Sequence, residues 1–330
     1  MGTMLAEAGQ VLLSPMILCF ALGMAAALAR SGLSVPEAAA KTLSLYLLFA
    51  IGFKGGASLA GHGVDGSMLG ALGAGVVLSA ALPVVAYGLL TVMTRLSQTD
   101  AAAVAGHYGS ISIVTFVTAL AVLQDRGMSS EGYMVAVAAA MEAPAIVVAL
   151  WLAARGTASG TGGGARMDAT LWREVMLNGS IVLLVGAFAI GAATGEEGLA
   201  EIDSFIVAPF KGVLCLFLLD MGLVAGRGLR QARGVLGAGA VGFGMTMPLI
   251  GAALGLLAAM LVGLSPGGAA LLMTLSASAS YIAVPAAMRV ALPEANPSIY
   301  LTLSLGVTFP FNLVVGIALY AEIAHRLIGG

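Results

Sequence analysis

Two stretches decide how the chain folds: AGHYGSISIVTFVTAL, residues 105–120, and SASASYIAVPAAMRV, residues 276–290. Each reads as a membrane helix with a flaw at its middle. Small and hydroxyl residues cluster where a bilayer crossing is otherwise uniformly apolar, and Pro285 removes a backbone donor in the second. Lipid offers no partner to backbone groups freed by a break, so an interrupted helix has to face protein or a water-filled cavity. Taken singly, either stretch also has a plain structural reading, because Ser and Thr hydroxyls bond back to their own helix.

The rest of the chain supplies the membrane. Of 330 residues, 60% are apolar and only 9% charged, and the mean hydropathy is +1.03. A soluble protein needs roughly 25% charged residues, so cytosolic enzymes and secreted disulfide scaffolds are excluded. Net charge is −2 and the 14 basic residues are scattered, which excludes nucleic acid as a partner. Cys19 and Cys215 lie in long apolar stretches without CxxC spacing and read as small hydrophobes. The opening MGTMLAEAGQ lacks the basic region of a cleavable signal, so the first span is expected to stay in the protein.

A crossing needs about 20 mostly apolar residues. Cutting at polar and Gly/Pro punctuation predicts an all-α polytopic membrane protein with about ten spans, near 12–29, 38–60, 68–94, 101–123, 132–154, 178–194, 204–226, 235–262, 268–290 and 298–324. Loops after odd-numbered spans hold Arg30, Lys41, Arg95, Arg155, Arg166, Arg173, Arg227, Arg230, Arg233 and Arg289, against Arg126 and Arg326 on the other side. Those odd loops are expected in the cytoplasm and both termini outside. Trp151 and Trp172 flank the central loop, as interfacial aromatics do.

Residues 156–170 form a Gly-rich cytoplasmic linker between a first repeat, 1–155, and a second, 171–330, each of five spans. An ungapped shift of 170 residues aligns 41–59 with 211–229, matching Lys41/Lys211, Leu48/Leu218, Gly52/Gly222, Gly56/Gly226 and Leu59/Leu229. The same shift pairs Ser110 with Ser280 and Glu142 with Asn312. Odd-numbered halves insert with opposite topology, giving the five-plus-five inverted repeat of secondary transporters, with two crossed, broken helices. Interrupted helices at corresponding places in two repeats point to a midplane site. Ser110, Ser112 and Thr115 would line it from one side, and Ser276, Ser278 and Ser280 from the other.

Ionisable residues inside a membrane default to function. Glu142, in AAAMEAPAIVV, is read as a cation ligand beside the irregular backbone at Pro144, against the alternative of a protonated acid bonded to a neighbouring helix, and Asn312 either as its neutral cation-binding partner or as a bond between helices. Lys54 and Asp220 lie on equivalent spans and are read as an intramembrane ion pair. His107 and Tyr108 precede the first break, and no metal centre or cofactor is expected. The two GxxxG motifs, Gly52/Gly56 and Gly222/Gly226, carry little weight among 46 glycines. HExxH, GxSxG, P-loop and dinucleotide motifs are missing, so nothing points to an enzyme.

The stretches LLSPMILCFALG, VPEAAAK, IGFKGG, DAAAVAGHYGSISIVTFVTA, MEAPAIVV and SYIAVPAAMRVALPEANPSIYLTLSLGVTFPFN together resemble the sodium-dependent bicarbonate transporter family known from cyanobacteria. The resemblance implies a core domain moving against a gate domain, a homotrimer in the bacterial inner membrane, and import of bicarbonate with Na⁺ as the coupling ion. It assigns the anion-contacting hydroxyls to Ser112, Thr115, Ser278 and Ser280. It places Glu142 where the family has Asp before x-Pro. A PII-like cytoplasmic regulator inhibits cyanobacterial members and is a candidate partner. The chain departs from the family at Tyr281, which replaces an acid, and at Ala283, Val284, Ile113 and Val114, which replace small or polar residues. These changes keep two alternatives open: symport of another small organic anion such as a monocarboxylate, and cation/proton antiport.

Overall fold

The computed structural model describes residues 15–62, 66–157, 179–231, 236–281, 284–285, 288 and 292–329. The helices in chain order are α1 (Pro15–Leu28), α2 (Glu37–His62), α3 (Gly66–Met93), α4 (Gln98–Gly109), α5 (Ile113–Asp125), α6 (Met134–Ala140) and α7 (Glu142–Thr157). There follow α8 (Gly179–Glu201), α9 (Asp203–Ile206), α10 (Phe210–Gln231), α11 (Ala238–Val262), α12 (Pro266–Ala277) and α13 (Pro297–Ile328). No strand occurs among the described residues.

Among the described residues, seven helical units are long and apolar enough to cross a membrane: α2, α3, α4 with α5, α6 with α7, α9 with α10, α11 and α13. The other three anticipated spans fall on α1, α8 and α12. Helices α1 and α12 are apolar but short, with 14 and 12 residues. Helix α8 kinks at Gly195, whose φ is 64°, and ends in the acidic run Glu196, Glu197, Glu201. Helix α7 continues to Thr157, so residues 156 and 157 are helical rather than linker. Residues 158–170 of the expected linker, and Trp172, lie outside the described residues.

Capping residues set where the central helices begin. Ser97 accepts the Asp100 N–H at the start of α4, and Ser265 accepts the Gly268 N–H at the start of α12, with Pro266 preset in the first turn. Each start is tied by an acid to a neighbouring span. Asp100 accepts the Asn296 N–H at 2.8 Å, just ahead of α13, and Glu131 accepts both the N–H and the hydroxyl of Ser265 at 2.7 and 3.0 Å.

The helices pack as two groups. Helices α3 to α7 and α11 to α13 surround α4 and α12, whose residues 101–109 and 267–277 are all buried. Helices α1, α2, α8 and α10 form the second group, in which α1 packs on α10 and α8 on α2. Glycine builds both of those seams. A Cβ at Gly23 would collide with the Leu219 carbonyl and one at Gly222 with the Phe20 carbonyl; at the other seam, Gly191 meets the Phe53 carbonyl and Gly56 that of Phe188. The weight given to the GxxxG motifs on sequence grounds was therefore too low: Gly56, Gly222 and Gly226 sit at contact points, because only a missing side chain brings two membrane backbones this close.

Helix α13 carries two π-helical stretches, Thr302–Thr308 and Asn312–Gly316, on either side of Pro310. Wider turns absorb a proline that removes a donor and crowds the preceding carbonyl.

Candidate functional site

Helix α4 stops at Gly109 because Ser110 turns extended, at φ −88° and ψ 152°; α12 stops at Ala277 where Ser278 does the same, at φ −84° and ψ 165°. The two breaks are thus built alike. Their helix-starting caps, Ser97 and Ser265, and their helix-ending caps, Ser110 and Ser278, are each 168 positions apart. The 170-residue shift therefore mispairs Ser110 with Ser280 by two residues, since an ungapped comparison has no room for a two-residue difference in length.

The breaks touch through reciprocal backbone donors. The Ser112 N–H donates to Ser278 Oγ at 2.9 Å, and the Ser280 N–H donates to the His107 carbonyl at 2.7 Å. Ser112 then caps α5: its Oγ accepts the Thr115 N–H at 3.2 Å and the Thr115 hydroxyl at 2.8 Å. Ser278 spends its proton on the Leu275 carbonyl at 2.8 Å. Ser280 accepts the Val284 N–H at 3.4 Å. All six predicted hydroxyl residues, Ser110, Ser112, Thr115, Ser276, Ser278 and Ser280, are buried here.

Counting protons separates their roles. Ser110, Thr115 and Ser278 have theirs committed to protein acceptors. Ser112 and Ser280 act only as acceptors among the described residues, so their hydroxyl protons stay available. Among the described residues the buried hydroxyls of Ser276 and Tyr281 have no hydrogen-bond partner, and that of Tyr281 lies toward the Ser112 side chain. At the start of α5, the N–H groups of Ile113 and Val114 have no acceptor among the described residues. An anion is the kind of ligand that donors of this sort accommodate.

The carboxylate stands on the other side of Ser110. Helices α6 and α7 are interrupted at Met141, and Glu142 opens α7 in a buried position. Ser110 donates to Glu142 Oε2 at 2.5 Å, so it serves the acid and not the open donor cluster. Ser79 of α3 holds the interruption, donating to the Met141 carbonyl at 2.5 Å and accepting the Ala145 N–H at 3.2 Å. Ser79 escaped the sequence reading, where its signal was a lone hydroxyl one turn before Pro83 in an otherwise apolar span.

Asn312 lies at a π-helical stretch of α13, where it donates to the Ala277 carbonyl at 2.8 Å and accepts the Tyr320 hydroxyl at 3.0 Å. It closes the end of α12 with a neutral group. Tyr108 and Thr308 form another missed link: the tyrosine bonds to Thr308 at 2.6 Å, and Thr308 donates to the Gly244 carbonyl at 2.7 Å. His107 bonds through Nδ1 to the Ala103 carbonyl at 2.7 Å and stacks on Tyr300, leaving Nε2 without a partner among the described residues.

Lys54 and Asp220 do not pair. The Lys54 ammonium lies 5.2 Å from the centre of the Phe210 ring, in a cavity of about 200 Å³ that Gln124 and Glu131 also line. Asp220 is ten residues further along α10, about 15 Å at helical rise, and its charged neighbour is Arg227. Equal position within equivalent spans says nothing about which way a side chain points around its helix. Cys19 and Cys215, far apart in sequence, meet at the α1–α10 seam as free thiols in contact.

No curated protein matches the chain. Residues 15–325 match the family model of the Na⁺-dependent bicarbonate transporter superfamily, which covers both breaks, Glu142 and the helices that carry them. The chain belongs to that superfamily, a group of membrane transporters and not of enzymes.

Proposed function

We propose that the protein is a secondary transporter in which Na⁺ and bicarbonate bind together at the crossing of the two broken helices and enter the cell by alternating access. The observation that carries this reading is the contact of the breaks, Ser112 N–H on Ser278 Oγ, with unused donors on one side and Glu142 on the other. The anion would take the open hydroxyls of Ser112, Ser280 and Tyr281 and the Ile113 and Val114 N–H groups. The cation would take Glu142 and the carbonyls that end α4. Adjacent opposite charges lower each other's desolvation cost, which couples the two bindings.

An inverted five-plus-five repeat is part of the proposal. It is supported by matched pairs: α1 on α10 and α8 on α2, α3 on α4 and α11 on α12. The acid ties at Asp100 and Glu131 match in the same way, each linking a crossover start to the start of the span after the other crossover. The group α1, α2, α8 and α10 would serve as the scaffold against which the crossing moves. The positive-inside distribution supports an inner-membrane orientation with both termini outside.

A second reading has its own support. Ile113 and Val114 begin α5, and the Tyr281 ring packs edge-on against Phe309 at 5.4 Å, which surrounds the donors with apolar surface suited to a monocarboxylate. The test is ¹⁴C-bicarbonate uptake into proteoliposomes at fixed pH, with and without an inward Na⁺ gradient, against unlabelled monocarboxylates. Na⁺-dependent uptake that resists competition is expected. Monocarboxylate uptake without bicarbonate uptake would transfer the same machinery to the second cargo.

A further inference from the structure

Far from the crossing, three guanidinium groups gather with no carboxylate among them. Arg30, just past the end of α1, and Arg227 and Arg230, near the end of α10, line a cleft of about 430 Å³ with Ala27 and Ser31. None of the three forms an ion pair among the described residues. Their fixed contacts are carbonyls: Arg230 Nη1 donates to Ala27 O at 2.8 Å and Arg227 Nη2 to Leu33 O at 3.1 Å. Two helix C-termini meet here, since α1 and α10 run side by side in the same direction, and together they supply roughly one negative charge against three positive. Asp220, two turns earlier on α10, offsets part of the Arg227 charge and does not line the cleft.

The neighbouring surface is apolar. Leu28 stands exposed at the end of α1, and Leu18 and Leu22 stand exposed on the face of α1 turned away from α10. A basic cleft at the end of two apolar helices suits the headgroup of an anionic phospholipid. The distribution of basic residues puts this end at the cytoplasmic leaflet, where anionic lipids lie.

We infer that the cleft between the ends of α1 and α10 is a binding site for an anionic phospholipid, its phosphate held by Arg30, Arg227 and Arg230. Such a lipid neutralises the excess charge of the seam and pins α1 to α10. The site is independent of cargo and coupling, so its test needs no transport.

The purified, delipidated protein is titrated in detergent with phosphatidylglycerol, phosphatidylcholine or inorganic phosphate, with bound lipid counted by native mass spectrometry and unfolding temperature followed in parallel. Saturable retention of phosphatidylglycerol with a rise in unfolding temperature is expected, and neither from phosphatidylcholine. Arg30→Gln removes an exposed guanidinium that makes no side-chain bond, so folding is preserved, and lipid affinity should fall about fivefold. Arg230→Gln should lower it further. Equal retention of phosphatidylcholine, stabilisation by inorganic phosphate alone, or unchanged affinity in Arg30→Gln would overturn the assignment.

Discussion

The crossing and the scaffold are held together by different physics. Around the crossing, helix ends are joined by buried side-chain hydrogen bonds: Ser110 to Glu142, Ser278 to the Ser112 N–H, Ser79 to Met141, Asn312 to Ala277. The seams of the scaffold have glycine against carbonyl, at Gly23, Gly56, Gly191 and Gly222, where closeness of backbone does the joining. Polar groups inside a membrane are costly and remain where chemistry needs them. Shape packing is sufficient for a frame. Substitutions in the two regions should therefore fail in different ways.

The largest effect is expected at Glu142. Replacing it with Ala removes the buried acid and leaves Ser110 without its acceptor, and Na⁺-stimulated uptake should drop about 100-fold or more while the protein stays monodisperse. Full activity in Glu142→Ala, measured in proteoliposomes, would remove the acid from the mechanism. Next comes Gly56→Val. Its side chain collides with the Phe188 carbonyl, so folded yield and unfolding temperature should fall, with a stability loss of about 1–3 kcal/mol, while uptake per folded molecule changes little. Gly73→Ala is the control, because nothing lies within 4 Å of its added methyl group.

Ser278→Ala should act on both readouts. It strips the Ser112 N–H of its partner, costing about 1–3 kcal/mol of stability, and uptake should fall about tenfold. If stability falls and uptake per folded molecule does not, the contact of the breaks is structural only. Tyr281→Phe is the mildest. A hydroxyl with no partner among the described residues contributes little, so stability should change by less than about 0.5 kcal/mol. A several-fold rise in KM for bicarbonate in that variant would place the hydroxyl on the anion.

The breaks were legible in the sequence because lipid punishes small and hydroxyl residues in mid-span, so their presence at 110–112 and 278–280 carried information. Glu142 stood out for the same reason. What it bonds to did not: Ser110 is 32 residues away, and Ser79 reaches Met141 across 62. Such pairings depend on rotation about each helix axis, which hydropathy does not encode. That is also why Lys54 and Asp220, matched in depth, point to different neighbours. The π-helical turns of α13 had no signal beyond Pro310, and Asn312 gained its role from one of them.

The reciprocal flux experiment tests the joint site most directly. Proteoliposomes with equal Na⁺ on both sides are given an inward bicarbonate gradient, and ²²Na⁺ uptake is followed in the wild type and in Glu142→Ala. Transient accumulation of ²²Na⁺ in the wild type, abolished in the variant, is the expected result. Sodium movement that ignores the bicarbonate gradient would show that the two ions do not share the crossing.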